Sequence, residues 1–346
     1  MRITLLLGAE DHPTDGVRDF ADRLAAALCE RGTETSIRRL PWELVGWREA
    51  FKQLGSMEAD VVLLQYTHLA WSRRGFPVGA VRVLRAIERA GARAGVVLHD
   101  PSPFSGTRAR DRVRTSVQRW TVRRLARACS PVFSTLEPQV APVLDGVRPF
   151  PVFVPAGSNV PGVEVFPNDD GVFRVAVFSI TERDAAEARH VASIVARFAE
   201  LISSPVELIV FGRGAPEAEG VLREALHTVP LRVMGVIPAE KIASILSGSD
   251  AMLFVRGPAS SRRGSIVAAI ANGLPVVVPN GPETGPAIRA AGVVFYRPGD
   301  PNDAADALLR LAKDPGFAES MRARQQQAFD RTFSWPRIAE TIEAAL

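Results

Sequence analysis

The sequence contains little of what marks metal-binding, exported or membrane-spanning proteins. It has 2 cysteines and 5 histidines in 346 residues, and no group of them has the spacing of metal ligands. No apolar run approaches the roughly 20 residues that a membrane span needs, and the first residues are typical of a β-strand rather than a signal-peptide core. We therefore expect a cytoplasmic protein that binds no metal. Cys29 and Cys129 fall within helical patterns and are predicted to be buried thiols.

Lysine is also scarce, with three residues in the chain, so arginine supplies nearly all of the positive charge. The net charge of +4 is modest, but between Arg108 and Arg127 there are eight arginines and one acid, Asp111. Three interpretations of this stretch are open: contact with an anionic membrane at its inner face, binding of an acidic acceptor, and an exposed helix that packs Trp120 inward. The confined charge and the lack of a recognition motif argue against nucleic acid as a partner.

Apolar β-type runs alternate with helical patterns from one end of the chain to the other. Because the strands are apolar throughout rather than on one face, the pattern predicts parallel sheets covered by helices on both sides. The predicted strands of the first half are Ile3–Leu7, Thr35–Arg39, Val61–Gln65, Ala94–Leu98, Val132–Ser134 and Pro151–Val154. Those of the second half are Phe173–Phe178, Val206–Phe211, Leu231–Met234, Ala251–Val255, Pro275–Val278 and Val293–Tyr296.

The predicted fold class is α/β, with two doubly wound parallel-sheet (Rossmann-like) domains that face a central cleft. The segment 158–171 holds Pro, Gly, Asn and Asp without a period and is predicted to link a first domain, 1–157, to a second, 172–332. The remaining helix, 333–346, is interpreted as crossing back to the first domain. Ligands of open parallel sheets bind outside the carboxyl ends of the strands, so such a cleft suits a group transfer between two substrates.

The stretch 260–279, SSRRGSIVAAIANGLPVVVP, combines an arginine pair with a predicted helix start. Backbone N–H groups at the positive end of a helix attract anions. The guanidinium groups of Arg262 and Arg263 can add paired hydrogen bonds to phosphate oxygens. The stretch therefore predicts a phosphate site, the alternative being two solvated loop charges.

Several segments, in order along the chain, carry a resemblance to a known family. They are DGVRDFADRLA from Asp15, LQYT from Leu64, RRGFP from Arg73, His99-Asp100, PAGSNVP from Pro155, FGRG from Phe211, MGVIP from Met234, GLP from Gly273 and FSW from Phe333. Together they resemble the GT-B glycosyltransferases of family 4, which are retaining enzymes that use nucleotide-diphosphate sugars. The resemblance covers nearly the whole chain and implies a GT-B fold that binds the donor mainly in the second domain and the acceptor in the first.

The chain departs from the family's pattern in two respects. Most members carry two glutamates eight positions apart, and alignment on Gly273-Leu274-Pro275 puts Ser260 and Ala268 in their places. The chain instead resembles a subgroup with Ser-x-Arg-Arg-Gly-Ser at this point. The basic pair that usually follows the first strand of the second domain is also not evident, and Arg183 is the nearby cation. The resemblance therefore implies a donor site built from a modified set of residues.

The resemblance also implies roles for individual residues. His99 and Arg263 are the predicted catalytic residues, His99 at the transferred sugar and Arg263 at the diphosphate, where negative charge grows as the glycosidic bond breaks. A lone histidine is otherwise a structural residue, and Asp100 either orients it or ends the strand. Glu283 is predicted to replace a missing glutamate at the ribose, the alternative being a solvated turn residue. The predicted donor-binding residues are Gly16, Arg183, Arg213, Gly214, Val236, Ser261, Arg262, Arg263, Gly264, Ser265 and Glu283.

The predicted function is transfer of a sugar from a nucleotide-diphosphate sugar to a small-molecule, glycan or lipid-linked acceptor, without metal or other cofactor. Retention of configuration is implied by the resemblance. The absent glutamates keep open a pseudo-glycosyltransferase of the same fold, which forms a non-glycosidic bond or is inactive. The lack of an export signal disfavours a periplasmic-type binding protein. The lack of GxGxxG after the first strand, where Gly8-Ala-Glu-Asp-His stands, disfavours a nicotinamide-dependent dehydrogenase.

Overall fold

The strands and helices predicted from the sequence are present in the computed structural model, which describes residues 1–9, 16–55, 57–163, 170–181 and 185–346. By its contacts the chain divides into two units: Met1–Ala156 with Trp335–Leu346, called unit 1 below, and Gly157–Ser334, called unit 2. Each unit contains one six-stranded parallel sheet with apolar clusters on both of its faces. The predicted pair of doubly wound parallel sheets is therefore confirmed.

The observed strands lie within a few residues of the predicted ones. They are β1 Arg2–Leu7, β2 Glu34–Arg39, β3 Val61–Tyr66, β4 Arg93–Leu98, β5 Val132–Ser134, β6 Val152–Phe153, β7 Phe173–Phe178, β8 Val206–Phe211, β9 Leu231–Val233, β10 Ala251–Leu253, β11 Val276–Pro279 and β12 Val294–Tyr296. The helices are α1 Gly16–Glu30, α2 Trp42–Leu54, α3 Val78–Arg89, α4 Ala109–Ala128, α5 Ala185–Leu201, α6 Ala215–Ala225, α7 Ala239–Ser247, α8 Gly264–Ala271, α9 Pro286–Ala290, α10 Pro301–Lys313, α11 Pro315–Ala328 and α12 Trp335–Ala345. A π-helical turn, Phe329–Phe333, joins α11 to α12.

The sheet of unit 1 has the strand order β2-β1-β3-β4-β5-β6. Successive side chains of a strand point to opposite faces, and both faces of this sheet are covered. Leu63 of β3 packs in a cluster with Phe20 of α1 and Ile338 of α12. The next residue, Leu64, packs on the other face in a cluster with Leu84 of α3. The strand is therefore apolar at consecutive positions because each side chain meets a helix.

The sheet of unit 2 has the strand order β12-β11-β10-β7-β8-β9 and the same logic. Val210 of β8 belongs to a cluster with Phe198 of α5 and Leu308 of α10. Its neighbour Ile209 belongs to the opposite cluster, with Ile266 of α8. This second cluster packs α8 against the sheet. Because α8 directly follows the loop after β10, the N-terminus of the helix lies at the carboxyl edge of the sheet.

Each sheet has one point at which the strand order reverses. In unit 1 it lies between β1 and β3, and in unit 2 between β7 and β10. Loops that leave the two strands at such a point run in opposite directions and open a crevice in which ligands of doubly wound sheets bind. In unit 2 the loop after β10 contains the arginine pair, so the fold places this pair at the reversal point.

The predicted linker, 158–171, differs from what the structure shows at its start. Unit 2 begins at Gly157, and Val160 is buried in one of its apolar clusters. The backbone N–H of Val163 donates to Asn272 Oδ1 at 3.2 Å. The chain from 157 to 163 is thus fastened to unit 2 by an apolar side chain and a hydrogen bond, neither of which the turn-rich composition indicates.

Two side chains are more exposed than the sequence predicted. Cys29 is exposed, so its prediction as a buried thiol is wrong; the buried face of α1 runs through Phe20, Leu24 and Leu28, and Cys29 lies on the next side. Trp120 is 51% exposed, so the interpretation that α4 packs it inward is also wrong. No helix in the described part of the chain is both long and apolar enough to span a membrane.

Replacing Ile338 of α12 tests whether the C-terminal helix stabilises unit 1. Ile338 is 1% exposed and lies in the cluster that includes Phe20. We expect Ile338→Ala to lower the free energy of unfolding by about 2–5 kcal/mol, because it removes buried methyl groups and leaves a cavity. Urea unfolding measures the change. The control is Glu340→Ala on the exposed side of the same helix, expected to shift it by about 0.5 kcal/mol or less; equal effects would contradict the packing.

Candidate functional site

The arginine pair lies in the loop that joins β10 to α8. The predicted helix begins at Gly264, with Arg263 at its N-cap in an extended conformation (φ −88°, ψ 93°) and no capping side chain from the described residues. The first backbone bond of the helix runs from Val267 N–H to the Arg263 carbonyl at 3.1 Å. The N–H groups of Gly264 and Ser265 precede it and point out of the helix end. The positive end of the helix dipole thus lies beside Arg262 and Arg263.

The other end of α8 explains why the helix is short. All residues from Ile266 to Ala271 are buried, so the helix can extend only as far as the apolar cluster does. Asn272 ends it by donating from Nδ2 to the Ala268 carbonyl at 2.8 Å. Gly273 follows with a φ of +60°, which turns the chain into β11. The Asn-Gly-Leu-Pro segment therefore fixes one end of a helix whose other end bears the arginines.

The loops after β10 and β11 are bonded into one structure. The Ala259 N–H donates to the Pro279 carbonyl at 3.1 Å, and the Thr284 hydroxyl donates to the Ala259 carbonyl at 2.8 Å. The same hydroxyl accepts from Gly281 N–H at 3.1 Å. Thr284 is buried, so these bonds are shielded from water. The arginine loop is therefore held in one conformation before any ligand binds.

Arg262 and Glu283 form an ion pair between the same two loops. Arg262 donates to Glu283 Oε2 from Nη2 at 2.7 Å and from Nε at 3.2 Å. The side chains are 20% and 17% exposed, so Glu283 is not the solvated turn residue that was the alternative. Its contact in this structure is an arginine, and this contact fixes the position of the Arg262 guanidinium. Glu283 thus offsets the charge of Arg262, while the Arg263 guanidinium lies 6.0 Å from the ring centroid of Phe254.

The two positions where the family carries glutamate lie inside unit 2. Ser260 is fully buried, and its hydroxyl has no hydrogen-bond partner among the described residues. Ala268 is 1% exposed in the apolar cluster around α8. A carboxylate at either position, in the conformation seen here, would be removed from water without a partner, which costs several kcal/mol. The packing of this loop therefore disfavours a carboxylate at either position.

A second group of predicted residues lies in the turn after β8. Gly212 and Gly214 have φ angles of +91° and +75°, and Gly214 is the N-cap of α6. The Arg213 carbonyl accepts from Ile180 N–H at 3.1 Å, and Gly212 N–H donates to the Gly235 carbonyl at 3.0 Å. The turn after β8 is thus bonded to the loops after β7 and β9. In the loop after β9, Val236 follows Gly235 and is 65% exposed.

Glycine is required at the first position of this turn. A Cβ on Gly212 would lie 2.6 Å from Ser179 Oγ. Ser179 itself has a φ of +68°, an uncommon conformation for a residue with a side chain. The turn after β8 and the arginine loop after β10 flank β7 on its two sides, about 10 Å apart by the spacing of strands. The predicted donor-binding residues that the structure describes in unit 2 thus form two bonded groups along one sheet edge.

His99 lies at the end of β4 in unit 1, and its partner is one that sequence reasoning missed. Its Nε2 lies 2.8 Å from Gln65 Oε1, and Phe20 packs edge-on against the ring at 4.7 Å between centroids. Gln65 Nε2 donates to the Leu63 carbonyl at 3.2 Å, which leaves Oε1 as the atom facing the histidine. Gln65, and not Asp100, therefore orients the ring. A glutamine inside an apolar strand is the signal that could have indicated this.

This hydrogen bond sets the protonation of His99. Because Gln65 Oε1 can only accept, Nε2 carries the proton and Nδ1 carries the lone pair. Burial lowers the pKa of His99 to about 3. The ring is therefore neutral near neutral pH, where it can accept a hydrogen bond at Nδ1 but does not serve as a cationic acid.

Two predicted residues lie where the structure says little. Gly16 is the exposed first residue of α1, and the loop before it is outside the described residues. Arg183 also lies outside them. In the described part of the chain, no three His, Cys, Asp or Glu side chains are grouped so as to hold a metal ion.

The chain is similar in sequence to a known family over its second half. The family model described as Glycosyl transferases group 1 matches residues 179–314. The matched region includes the turn after β8, the arginine loop and the loop after β11. No curated protein matches the chain in sequence.

Solved structures extend the likeness to the whole chain. Alr3699/HepE from Anabaena in complex with UDP-glucose is 15% identical, with a TM-score of 0.68 over 99% of this chain and 98% of that chain. Sucrose-phosphate synthase from Thermosynechococcus elongatus is 17% identical, with a TM-score of 0.69 over 99% and 98%. A putative UDP-N-acetylglucosamine 2-epimerase from Listeria monocytogenes is 13% identical, with a TM-score of 0.64 over 99% and 95%. The predicted GT-B fold is confirmed.

The neutral state of His99 predicts a pH dependence of stability. Its pKa is about 3 in the folded protein and about 6.5 in an unfolded chain. Below pH 6.5 the unfolded state therefore binds more protons, and the free energy of unfolding falls as the pH falls. We expect His99 to lower the free energy of unfolding by about 2 kcal/mol between pH 7 and pH 5, since each pH unit below the unfolded pKa costs about 1.4 kcal/mol. Urea unfolding at pH 7 and pH 5 measures the loss.

The variant His99→Gln isolates this contribution from those of other groups. Its loss of stability between pH 7 and pH 5 should be smaller than that of the wild type, whatever its stability at pH 7. An equal loss in both proteins would mean that His99 is not held neutral by the fold.

Proposed function

We propose that this protein is a glycosyltransferase that moves a sugar from a nucleotide-diphosphate sugar to an acceptor. The donor binds at the carboxyl edge of the sheet in unit 2, and the acceptor binds in unit 1. The observation that carries the proposal is the arginine loop, in which Arg263 lies at the N-terminus of a buried helix. It lies at the reversal point of the sheet and within the region that matches the glycosyltransferase family model.

The chemistry of the loop suits the leaving group of this reaction. As the glycosidic bond breaks, negative charge grows on the diphosphate. The N–H groups of Gly264 and Ser265, the helix dipole and the Arg263 guanidinium are fixed before binding, so they stabilise that charge without reorganising. Arg262, aligned by Glu283, lies in the same loop and adds a second guanidinium group beside the helix end. We therefore propose that the reaction proceeds without a metal ion, the arginines taking the role that a divalent cation has elsewhere.

The role proposed for His99 follows from its protonation. A neutral imidazole with its lone pair on Nδ1 accepts a hydrogen bond from a sugar hydroxyl and so orients the transferred sugar. Retention of configuration is part of the proposal by resemblance to family 4, as is its placement in that family. Anabaena Alr3699/HepE, crystallised with UDP-glucose, supports UDP as the first nucleotide to test.

The alternative is a pseudo-glycosyltransferase, which binds the same nucleotide but does not transfer the sugar to form a glycosidic bond. The observation that favours it is the burial of Ser260 and Ala268, because neither position can supply a carboxylate to the donor. Release of UDP from a UDP-sugar separates the two, since an inactive protein binds UDP without turnover.

Nucleotide binding should depend on Arg263. We expect saturating UDP to raise the melting temperature of the wild type, because a ligand at 100 times its Kd stabilises the fold by about 2.7 kcal/mol. Arg263→Ala should weaken UDP binding about tenfold or more, the loss of one charge-assisted hydrogen bond in a shielded site. Thermal shift against UDP, GDP, dTDP and ADP, followed by calorimetry with the best nucleotide, measures both effects.

A matched control is Arg297→Ala, which removes an arginine of the same unit that is 74% exposed and paired with acids. Its nucleotide affinity should equal that of the wild type. If no nucleoside diphosphate binds, or if the two variants weaken binding equally, the proposed donor site is wrong. Unchanged turnover in the presence of EDTA would support the part of the proposal that concerns metal.

We also propose that α4 contacts the membrane surface from its outward side. Val113 and Trp120, seven residues apart and so on one side of the helix, are 57% and 51% exposed. The arginines between Arg108 and Arg127 surround them. An exposed aromatic among cationic side chains suits the interface of an anionic bilayer.

Vesicle binding should therefore depend on Trp120. We expect Trp120→Ala to bind less to vesicles that contain phosphatidylglycerol in a co-sedimentation assay, because the tryptophan inserts at the level of the headgroups. Phe150→Ala removes a similarly exposed aromatic of unit 1 and should leave binding unchanged. No binding by the wild type, or equal binding by all three proteins, would contradict membrane contact through α4.

A further inference from the structure

Unit 1 contains a large cavity that the proposed donor site does not use. Its volume is about 690 Å³, and its walls come from the segment after β3, the segment after β4 and the first half of α4. It therefore opens at the carboxyl ends of two neighbouring strands, where doubly wound sheets bind ligands. The volume is within the range of sites for small molecules.

The charge of the cavity walls is strongly positive. Four arginines line it, and one carboxylate, Asp100, lies among them. The arginines are Arg73, Arg74, Arg110 and Arg114. Arg73 donates to the Glu43 carbonyl at 3.1 Å, a neutral partner. Within the described residues neither Arg74 nor Arg110 forms an ion pair, so their charges are not balanced locally.

Arg114 is fixed in the cavity wall. Its guanidinium lies over the ring of Phe104, 4.8 Å from the centroid, and its side chain is 16% exposed. Its nearest acid is Asp111 at 3.7 Å, longer than a hydrogen bond. Gly75, with a φ of +72°, packs so closely that a Cβ there would lie 3.1 Å from Arg114 Cδ.

The wall around Arg114 is also rigid. Gln118 is buried and bridges the two segments: its Oε1 accepts from Phe104 N–H at 2.7 Å, and its Nε2 donates to the Gly75 carbonyl at 2.9 Å. Arg110, Arg114 and Gln118 follow one another at intervals of four residues along α4, so they share one side of the helix. This spacing directs Arg110, Arg114 and Gln118 toward the same cavity.

The remaining titratable group of the wall does not add charge. His68 donates from Nε2 to the Ser102 carbonyl and accepts at Nδ1 from the Tyr66 hydroxyl, both at 3.0 Å. Burial lowers the pKa of His68, in line with a neutral ring bonded at both nitrogens. The positive potential of the cavity therefore comes from guanidinium groups, which stay charged at every physiological pH.

We propose that this cavity binds the phosphate group of a phosphomonoester acceptor. Guanidinium groups that converge from two segments match the oxygens of a phosphate, and each can donate two parallel hydrogen bonds. Phe104 and Leu69, each 47% exposed at the cavity, provide apolar contact for the rest of the acceptor. The proposal deepens the proposed function by naming the class of acceptor. It rests on that function only in treating the bound phosphomonoester as the acceptor of the sugar.

Binding of a simple phosphomonoester by calorimetry tests the proposal. The probe is glucose 6-phosphate, with glucose as its uncharged counterpart, and titrations are made with and without saturating UDP so that a second phosphate site in unit 2 is occupied in one of them. We expect glucose 6-phosphate to bind and glucose not to bind. The double variant Arg74→Gln/Arg110→Gln should weaken binding at least tenfold, because it removes two of the four positive charges that line the cavity. Both side chains are exposed and the core does not use them, so the variant should fold.

The matched control is Arg82→Gln/Arg85→Gln, which removes two exposed arginines of α3 in the same unit. It carries the same change in net charge and should bind glucose 6-phosphate like the wild type. Equal weakening by the two double variants would reduce the effect to general electrostatics and overturn the proposal.

A lipid source of the phosphate is tested with vesicles. One preparation contains phosphatidic acid, a phosphomonoester, and the other contains phosphatidylglycerol at equal surface charge. Preference for phosphatidic acid that Arg74→Gln/Arg110→Gln abolishes and Arg82→Gln/Arg85→Gln retains would identify a lipid phosphate as the ligand. Binding of the soluble ester alone would identify a soluble acceptor. If the wild type binds neither probe through these arginines, the proposal is wrong.

The outcome is independent of the donor site. Phosphomonoester binding without any nucleotide binding would contradict the proposed function and leave the cavity assignment standing. Nucleotide binding and turnover of the UDP-sugar without phosphomonoester binding would support the proposed function and contradict the cavity assignment.

Discussion

The parallel pairing of β10 with β7 and β11 is the constraint on which the candidate donor site depends. Parallel strands end at the same edge of a sheet, so the loops that follow them lie side by side. The bonds between Ala259 and Pro279 and between Thr284 and Ala259 are available only because of that arrangement. They hold the arginine loop in place, and α8 begins where the loop ends. The position of the helix end is thus a consequence of strand order rather than of any residue in the loop alone.

The two neighbouring arginines of the candidate donor site have different contacts. Arg262 is paired with Glu283 at 2.7 Å, and Arg263 lies at the N-cap with its guanidinium 6.0 Å from the ring centroid of Phe254. The family resemblance places glutamates at Ser260 and Ala268, both buried here. A carboxylate is instead present at Glu283, in the next loop. Unit 2 therefore has an acid near the arginines, in a position where it aligns the Arg262 guanidinium.

Most of the fold could be predicted from the sequence, because a strand covered on both faces must be apolar at every position. The strand β7 matches its prediction at both ends, Phe173–Phe178. The surface was predicted less well: Cys29 and Trp120 are both exposed, since a helical pattern says which residues repeat but not where its buried side ends. The start of α8 was visible locally in the Gly264-Ser265 step. Gln65 and the cavity were not, because they join residues more than 30 positions apart.

The two units present positive charge by different physical means, and this difference bears on what each can recognise. In unit 2 the helix end offers backbone N–H groups, whose positions depend on the fold and hardly on side chains, so many sequences can build such a site for a diphosphate. In unit 1 the charge rests on four arginine side chains, two from the segment after β3 and two from the first half of α4. The segment after β3 can vary without loss of the sheet, and the exposed side chain of Arg110 on α4 is not part of the core. Under the two proposals made above, recognition of the diphosphate therefore depends on the backbone geometry of the fold, whereas the choice of acceptor depends on side chains such as Arg74 and Arg110, which the core does not need.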